Sequence, residues 1–129
     1  MTAKRPCRQC TKPNAVPPAR LCPTCIRLNK RAASKKAHSS RILKTYGITG
    51  EQYDELYEAQ GRKCAICQTS TGARKRLAVD HDHKTGEVRG LLCGKCNHRL
   101  LGSAHDGPEI LERALEYLKN PPARSVLVP

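Results

Sequence analysis

The chain has 129 residues, a formal net charge of +13, eight cysteines, four tyrosines, and neither phenylalanine nor tryptophan. That length excludes two full hydrophobic cores, and the shortage of large apolar side chains excludes a fold held together by burial alone. The charge favours a polyanionic partner. It is unevenly spread: residues 1–50 carry twelve Lys or Arg and no Asp or Glu, whereas residues 51–129 carry twelve basic and eleven acidic side chains. Met1 to Lys12 is basic and polar, and no run reaches membrane-spanning length, so neither a secretory leader nor a membrane protein is expected. In a reducing compartment, regularly paired cysteines read as thiolate metal ligands rather than disulfides.

Two C-x-x-C knuckles come first, Cys7-Arg-Gln-Cys10 and Cys22-Pro-Thr-Cys25, separated by a segment holding Pro13, Pro17 and Pro18. Each knuckle puts two sulfurs on one tight turn, and two knuckles complete the tetrahedral shell of a structural Zn2+ held by Cys7, Cys10, Cys22 and Cys25. The pattern resembles a zinc ribbon, a module that binds nucleic acid, binds protein, or holds a terminus together; the spacing does not choose among these. Arg27, Lys30, Arg31, Lys35, Lys36, Arg41 and Lys44 follow, up to Gly47, with no acidic residue to balance them. A helix lying along phosphates is the expectation, with a solvated linker helix as the alternative. No Phe, Trp or Tyr lies between Cys25 and Lys44, which suits sequence-independent phosphate contact better than base stacking.

Thr49 and Gln52 have the spacing of a capping box, and Tyr53, Leu56, Tyr57 and Gln60 recur at helical intervals up to Gly61. The predicted helix uses its tyrosines for core packing. Cys64-Ala-Ile-Cys67 and Cys93-Gly-Lys-Cys96 form a second four-sulfur set, expected to close a second structural Zn2+ site unaided. Between them, Leu77 to Asp80 reads as a short strand and Glu87 to Leu92 as its hairpin partner across Lys84-Thr85-Gly86. A helix is expected from about Cys96. Pro108 opens another, with Ile110, Leu111, Ala114, Leu115 and Leu118 on an apolar face and Asn120-Pro121-Pro122 as its stop. That face is expected to cover the zinc and hairpin core.

The second cysteine set brackets the densest polar run in the chain, Asp80-His81-Asp82-His83. Since four sulfurs suffice for zinc, these side chains are free for other work. Cutting a phosphodiester needs a hard cation at the phosphate and a base for the attacking water. A carboxylate and an amide oxygen, Asp80 and Asn97, suit Mg2+ or Mn2+, and the imidazole of His81 suits the base. Blander readings stand beside these: a further metal cluster or polar turn for the Asp-His run, and a helix cap for Asn97. Arg89, Lys95 and Arg99 flank the centre, either contacting phosphates or facing water.

Tyr57-Glu-Ala-Gln-Gly, Cys64-Ala-Ile-Cys67, Val79-Asp-His-Asp-His83, Thr85-Gly-Glu-Val-Arg-Gly-Leu-Leu-Cys93 and Cys96-Asn97 together resemble the phage recombination endonuclease VII family, within the HNH or ββα-metal nucleases. The resemblance spans roughly Glu51 to Pro121. It implies a structural zinc on Cys64, Cys67, Cys93 and Cys96, a catalytic divalent ion on Asp80 and Asn97, His81 as general base and His83 assisting at the phosphate or transition state. The role of Asp82 is left open. Better-studied members of that family carry a long helical C-terminal region that builds an intertwined dimer, whereas only a short segment follows Asn97 here.

The expected protein is thus small, α+β and zinc-stabilised. Residues 1–28 form the basic ribbon-like module, 29–48 a basic helical linker, 49–122 the nuclease domain with its ββα core and flanking helices, and 123–129 a tail. Its expected function is divalent-metal-dependent DNA endonuclease, nicking or acting on branched recombination DNA, in the cytoplasm of a phage-infected cell. A homodimer or a phage protein is the further partner considered. The rival reading is a non-catalytic, zinc-dependent DNA-binding or adaptor protein.

Overall fold

The computed structural model describes residues 3–13 and 15–127. The first two residues of the expected N-terminal module, its Asn14, and the last two of the tail lie outside them. Among the described residues the protein is a small α+β structure of four α-helices, one two-stranded sheet and one π-helical segment. It divides into two compact units, Met1–Gly50 and Glu51–Pro129.

In the first unit the cysteines are themselves the core: Cys7, Cys22 and Cys25 are buried, with Cys10 and Leu21 packed against them. The first knuckle is closed by backbone bonds from Cys7 N to Lys12 O and Thr11 N to Cys7 O, both 2.8 Å. A single antiparallel bridge joins Arg5 and Ala15. The second knuckle departs from a ribbon, because it opens a helix instead of a hairpin. Cys22 is the residue before α1 (Pro23–Tyr46), and Pro23 occupies its first position, where the missing N–H costs nothing. A helix of 24 residues is about 36 Å long. It contains no acidic residue, and Arg27, Lys30, Arg31, Lys35, Lys36, Arg41 and Lys44 are all exposed on it. Gly47 ends it in the left-handed conformation (φ 71°), donating its N–H to Leu43 O, a conformation in which glycine has no Cβ to clash.

In the second unit α2 (Gly50–Ala59) buries Tyr53 in the core as expected, whereas Tyr57 is only half-buried at its edge. Tyr53 Oη donates to Leu77 O at 2.8 Å and Tyr57 Oη to Thr71 O at 2.7 Å, so both rings brace the loop leading into the sheet. Strands β1 (Ala78–His81) and β2 (Val88–Leu92) are antiparallel, with Ala78 opposite Leu92, Val79 opposite Leu91, Asp80 opposite Gly90 and His81 opposite Val88. That register leaves Arg89 as the extra residue of a β-bulge. Leu77, Val79, Leu91 and Leu92 are buried with Cys64 and Cys96, so zinc ligands and aliphatic side chains share one small core.

Gln60, at the end of α2, replaces a third strand. Its amide donates to Leu91 O at 2.9 Å and accepts from Leu91 N at 2.8 Å, satisfying the backbone of an otherwise open edge. Gly90 permits this approach, since a Cβ there would lie 3.0 Å from Gln60 Oε1. Beyond Cys93 the chain forms a π-helical segment, Lys95–Leu101, then a turn, α3 (Pro108–Lys119) and α4 (Ala123–Val126). Helix α3 starts and stops where its proline and asparagine signals place it, but it does not cover the core. Leu111 is half-buried, while Leu115 and Leu118 are 53% and 73% exposed. The core beneath is made of the cysteines, Leu77, Val79, Leu91 and Leu92, and no residue of α3 is buried in it.

Candidate nuclease centre and zinc clamps

Both cysteine sets converge. The four sulfurs of Cys7, Cys10, Cys22 and Cys25 lie within 4.8 Å of one another, as do those of Cys64, Cys67, Cys93 and Cys96. That spacing and an all-thiolate donor set fit Zn2+. Four thiols so close cannot all ionise unaided, and their protons are shared unequally. Backbone amides of Cys22 and Cys10 hold Cys7 down to about 6, whereas burial pushes Cys25 up to about 12. In the second set the Thr69 hydroxyl, 3.3 Å from Cys67 Sγ, and nearby amides hold that thiol down to about 5, while burial pushes Cys96 up to about 12. A divalent ion removes the conflict by displacing the remaining protons and coordinating all four sulfurs as thiolates.

The second clamp ties together the elements that carry the polar run. Cys93 directly follows β2, Cys96 lies in the π-helical segment, and Cys64 sits beside the Ala65 N–H that donates to Leu91 O at 3.2 Å. Asp80 and His81 are on β1, pinned to β2 by the ladder, and Asn97 directly follows Cys96. π-Helical turns are rare and concentrate at functional sites, and this one contains Asn97.

Arg89 engages Asp80 through two hydrogen bonds, Nε to Oδ2 at 2.8 Å and Nη2 to Oδ1 at 3.1 Å. Asp80 is almost fully buried, with its side chain 7% exposed. Arg89 Nη2 also donates to Asp106 Oδ1 at 3.2 Å, and the other oxygen of Asp106 meets His83 Nδ1 at 2.5 Å. The His83 and His81 rings are 4.9 Å apart. The structure thus joins Asp80, Arg89, Asp106 and His83 by hydrogen bonds and sets His81 against His83. Hydrogen bonds from His83 first, and from Arg89, hold the Asp106 carboxyl below the usual carboxylate range. The paired carboxylates raise the Arg89 guanidinium.

Asp82, adjacent to these groups, has a local task. Its Oδ1 accepts the Lys84 and Thr85 amides at 2.7 and 2.9 Å, closing the hairpin loop, and those amides hold its carboxyl low.

No sequence motif marks Asp106 as a site residue, since it lies 23 positions from His83 in a turn. Arg74-Lys75-Arg76 is also outside the expected site, although a run of three bases is itself a signal. These three line, with Lys95, His98 and Arg99, a cavity of about 820 Å³ beside Cys67, Cys93 and Cys96. No carboxylate lines it, while Thr69, Ser70 and Thr71 do. A smaller cavity of about 330 Å³ lies over the ion pairs, walled by Asp80, Arg89 and Asp106 together with Leu101, Pro108 and Leu111.

A hairpin bearing an acid and two imidazoles, clamped by four thiols and flanked by a basic cavity, is a site suited to nucleic-acid chemistry. Residues 39–120 match the family described as recombination endonuclease VII, and the chain belongs to that family. Membership places it among the endonucleases, with DNA as partner. A "Gene 59 protein" of Mycobacterium phage D29 is 49% identical over 130 residues, covering 96% of this chain and 79% of that protein. The "Gene 59 protein" of Mycobacterium phage L5 is 48% identical with the same coverage. Among the described residues no helix is long and apolar enough to cross a membrane.

Proposed function

We propose that this chain is a divalent-cation-dependent DNA endonuclease of the HNH type, in which His81 is the general base and Asp80 with Asn97 holds the ion. The observation that carries this reading is the tethering of all three residues to one tetracysteine clamp in a chain of the endonuclease VII family. The hairpin followed by the Lys95–Leu101 segment supports a ββα-metal core within residues 49–122.

The donor set fits a hard cation, because carboxylate and amide oxygens are the ligands Mg2+ and Mn2+ prefer. A carboxylate offers about four lone-pair sites; Arg89 takes two from Asp80 and holds it in one orientation. The bound ion supplies charge neutralisation at the phosphate and the leaving oxygen. Asp80, on β1, and Asn97, next to Cys96, are the residues that would hold it. His81 takes the proton of the attacking water as that oxygen bonds to phosphorus and the bond to the leaving sugar oxygen breaks. His83 assists at the phosphate. Arg89 keeps two donors, on Nη1, beyond those given to Asp80 and Asp106, and these suit a phosphate oxygen.

Substrate grip falls to phosphate contacts. Arg27, Lys30, Arg31, Lys35, Lys36, Arg41 and Lys44 on α1 supply one set, with residues 1–28 as the zinc-held module and 29–48 as its helical extension. Arg74, Lys75, Arg76, Lys95 and Arg99 around the basic cavity supply another. The family name supports recombination DNA, nicked or branched, as substrate, and the phage relatives support action inside an infected cell.

The test is cleavage of supercoiled, nicked and four-way-branched DNA with and without Mg2+ or Mn2+, using wild type and His81→Ala. Metal-dependent cutting by wild type and a loss of about 10² to 10⁴ in rate for the variant are expected. Salt-sensitive binding with no cutting of any substrate would favour a non-catalytic DNA-binding protein.

A further inference from the structure

Asp106 is the residue this family pattern and the motif run leave unexplained. It sits in the turn between the π-helical segment and α3, where His105 and Asp106 both have positive φ, 50° and 55°. The turn is closed by bonds from Asp106 N to Leu101 O at 3.1 Å and Gly107 N to Ala104 O at 2.8 Å, and Ala104 is buried beneath it. Two consecutive non-glycine residues in the left-handed region are costly, and an aspartate tolerates that conformation better than most. The result is a carboxylate aimed back at the hairpin. Its two oxygens do different things: Oδ2 meets His83 Nδ1, and Oδ1 accepts from Arg89 Nη2, whose fork holds Asp80.

We propose that Asp106 is a positioning residue of the nuclease centre, orienting the His83 imidazole directly and the Asp80 carboxylate through Arg89. The inference rests on the nuclease reading above. Asp106 touches neither the reacting phosphate nor the water. A carboxylate accepting from Nδ1–H leaves Nε2 of His83 as the nitrogen that faces the reaction. Sharing the guanidinium between two carboxylates stops Arg89 from swinging away from Asp80, whose own carboxylate is nearly buried.

The test compares wild type with Asp106→Asn, which keeps the shape, tolerates positive φ and offers one acceptor where there were two. Single-turnover cleavage by the variant is expected to slow about 10- to 100-fold, the usual cost of losing such a supporting partner. DNA affinity and zinc stoichiometry should be unchanged. Nitrogen-15 spectra, with the His83 signal identified by its disappearance in His83→Gln, should show Nδ1 protonated in wild type and a tautomer mixture in the variant. A normal cleavage rate, or a His83 spectrum indifferent to the change, overturns the proposal. So does a wild-type spectrum with Nδ1 unprotonated, which needs no variant to fold. If wild type cuts no DNA, the nuclease reading fails while the spectra still decide whether Asp106 sets the imidazole.

Discussion

Arg89, the bulged residue of β2, grips Asp80 of β1 with two donors at 2.8 and 3.1 Å. The bulge makes this possible. Without the extra residue, the register that sets Asp80 opposite Gly90 would run on evenly, and the guanidinium would not be set beside the carboxylate. Replacing Arg89 with Met strips a nearly buried carboxylate of both donors and is expected to cost about 1–3 kcal/mol of stability. Arg89→Lys keeps the charge but loses the fork, and should fall between wild type and the Met variant. Urea unfolding at saturating zinc measures both; a Met variant as stable as wild type would mean that water replaces the guanidinium without cost.

Zinc bound at the two cysteine clusters is expected to carry much of the folding free energy in a chain with so few large apolar side chains. Two zinc ions per chain are expected by elemental analysis, falling to one in Cys93→Ser. That variant should lose the structure of residues 51–129 and all cleavage, because the clamp, the hairpin and the aliphatic core are one unit. Apparent binding energies of about 10–16 kcal/mol for structural zinc exceed what so small a core supplies. Circular dichroism on chelation reports the outcome, and unchanged spectra would remove zinc from the account of the fold.

Acid should release the metal, and the direction follows from the thiols. Cys67 is held down to about 5 from an ordinary value of 9.0. A group whose folded pKa is depressed adds stability that is complete above its unfolded value and is lost as pH falls toward the folded one. Without metal, the stability contributed by Cys67 therefore declines from about pH 9 down to about pH 5, and zinc, which competes with that proton, carries the loss to lower pH. Because the Thr69 hydroxyl is the largest cause of the shift, Thr69→Val should raise the pH midpoint of zinc release, read with a chromophoric chelator. A midpoint that does not move would assign the shift to the backbone amides.

Helix α1 presents seven exposed cations and no anion. Neutralising Arg27, Lys30, Lys35 and Lys36 together should make the dependence of log affinity on log salt shallower, by about 0.9 for each phosphate that the variant no longer neutralises. Neutralising Arg74, Lys75, Lys95 and Arg99 tests the basic cavity in the same assay, in a His81→Ala background so that cleavage does not interfere. A slope that either set leaves unchanged removes that set from the DNA path.

Much was legible in the residues alone. Paired cysteines at C-x-x-C spacing mark sites that can hold zinc because ligand geometry is local: two sulfurs on one turn are half a tetrahedron wherever the turn lies. Helix ends at Gly47, Pro108 and Asn120 were equally readable, since each depends on one residue's φ preference, a missing N–H, or the restriction that Pro121 puts on the residue before it. The tertiary structure alone decided that the second knuckle opens α1, that Arg89 is the bulged residue, and that Asp106 reaches back to His83 and Arg89. It also showed that Leu115 and Leu118 stay exposed. These depend on strand register, on where α3 lies, and on a turn that brings together residues 17 to 23 positions apart, and no short-range pattern encodes such distances.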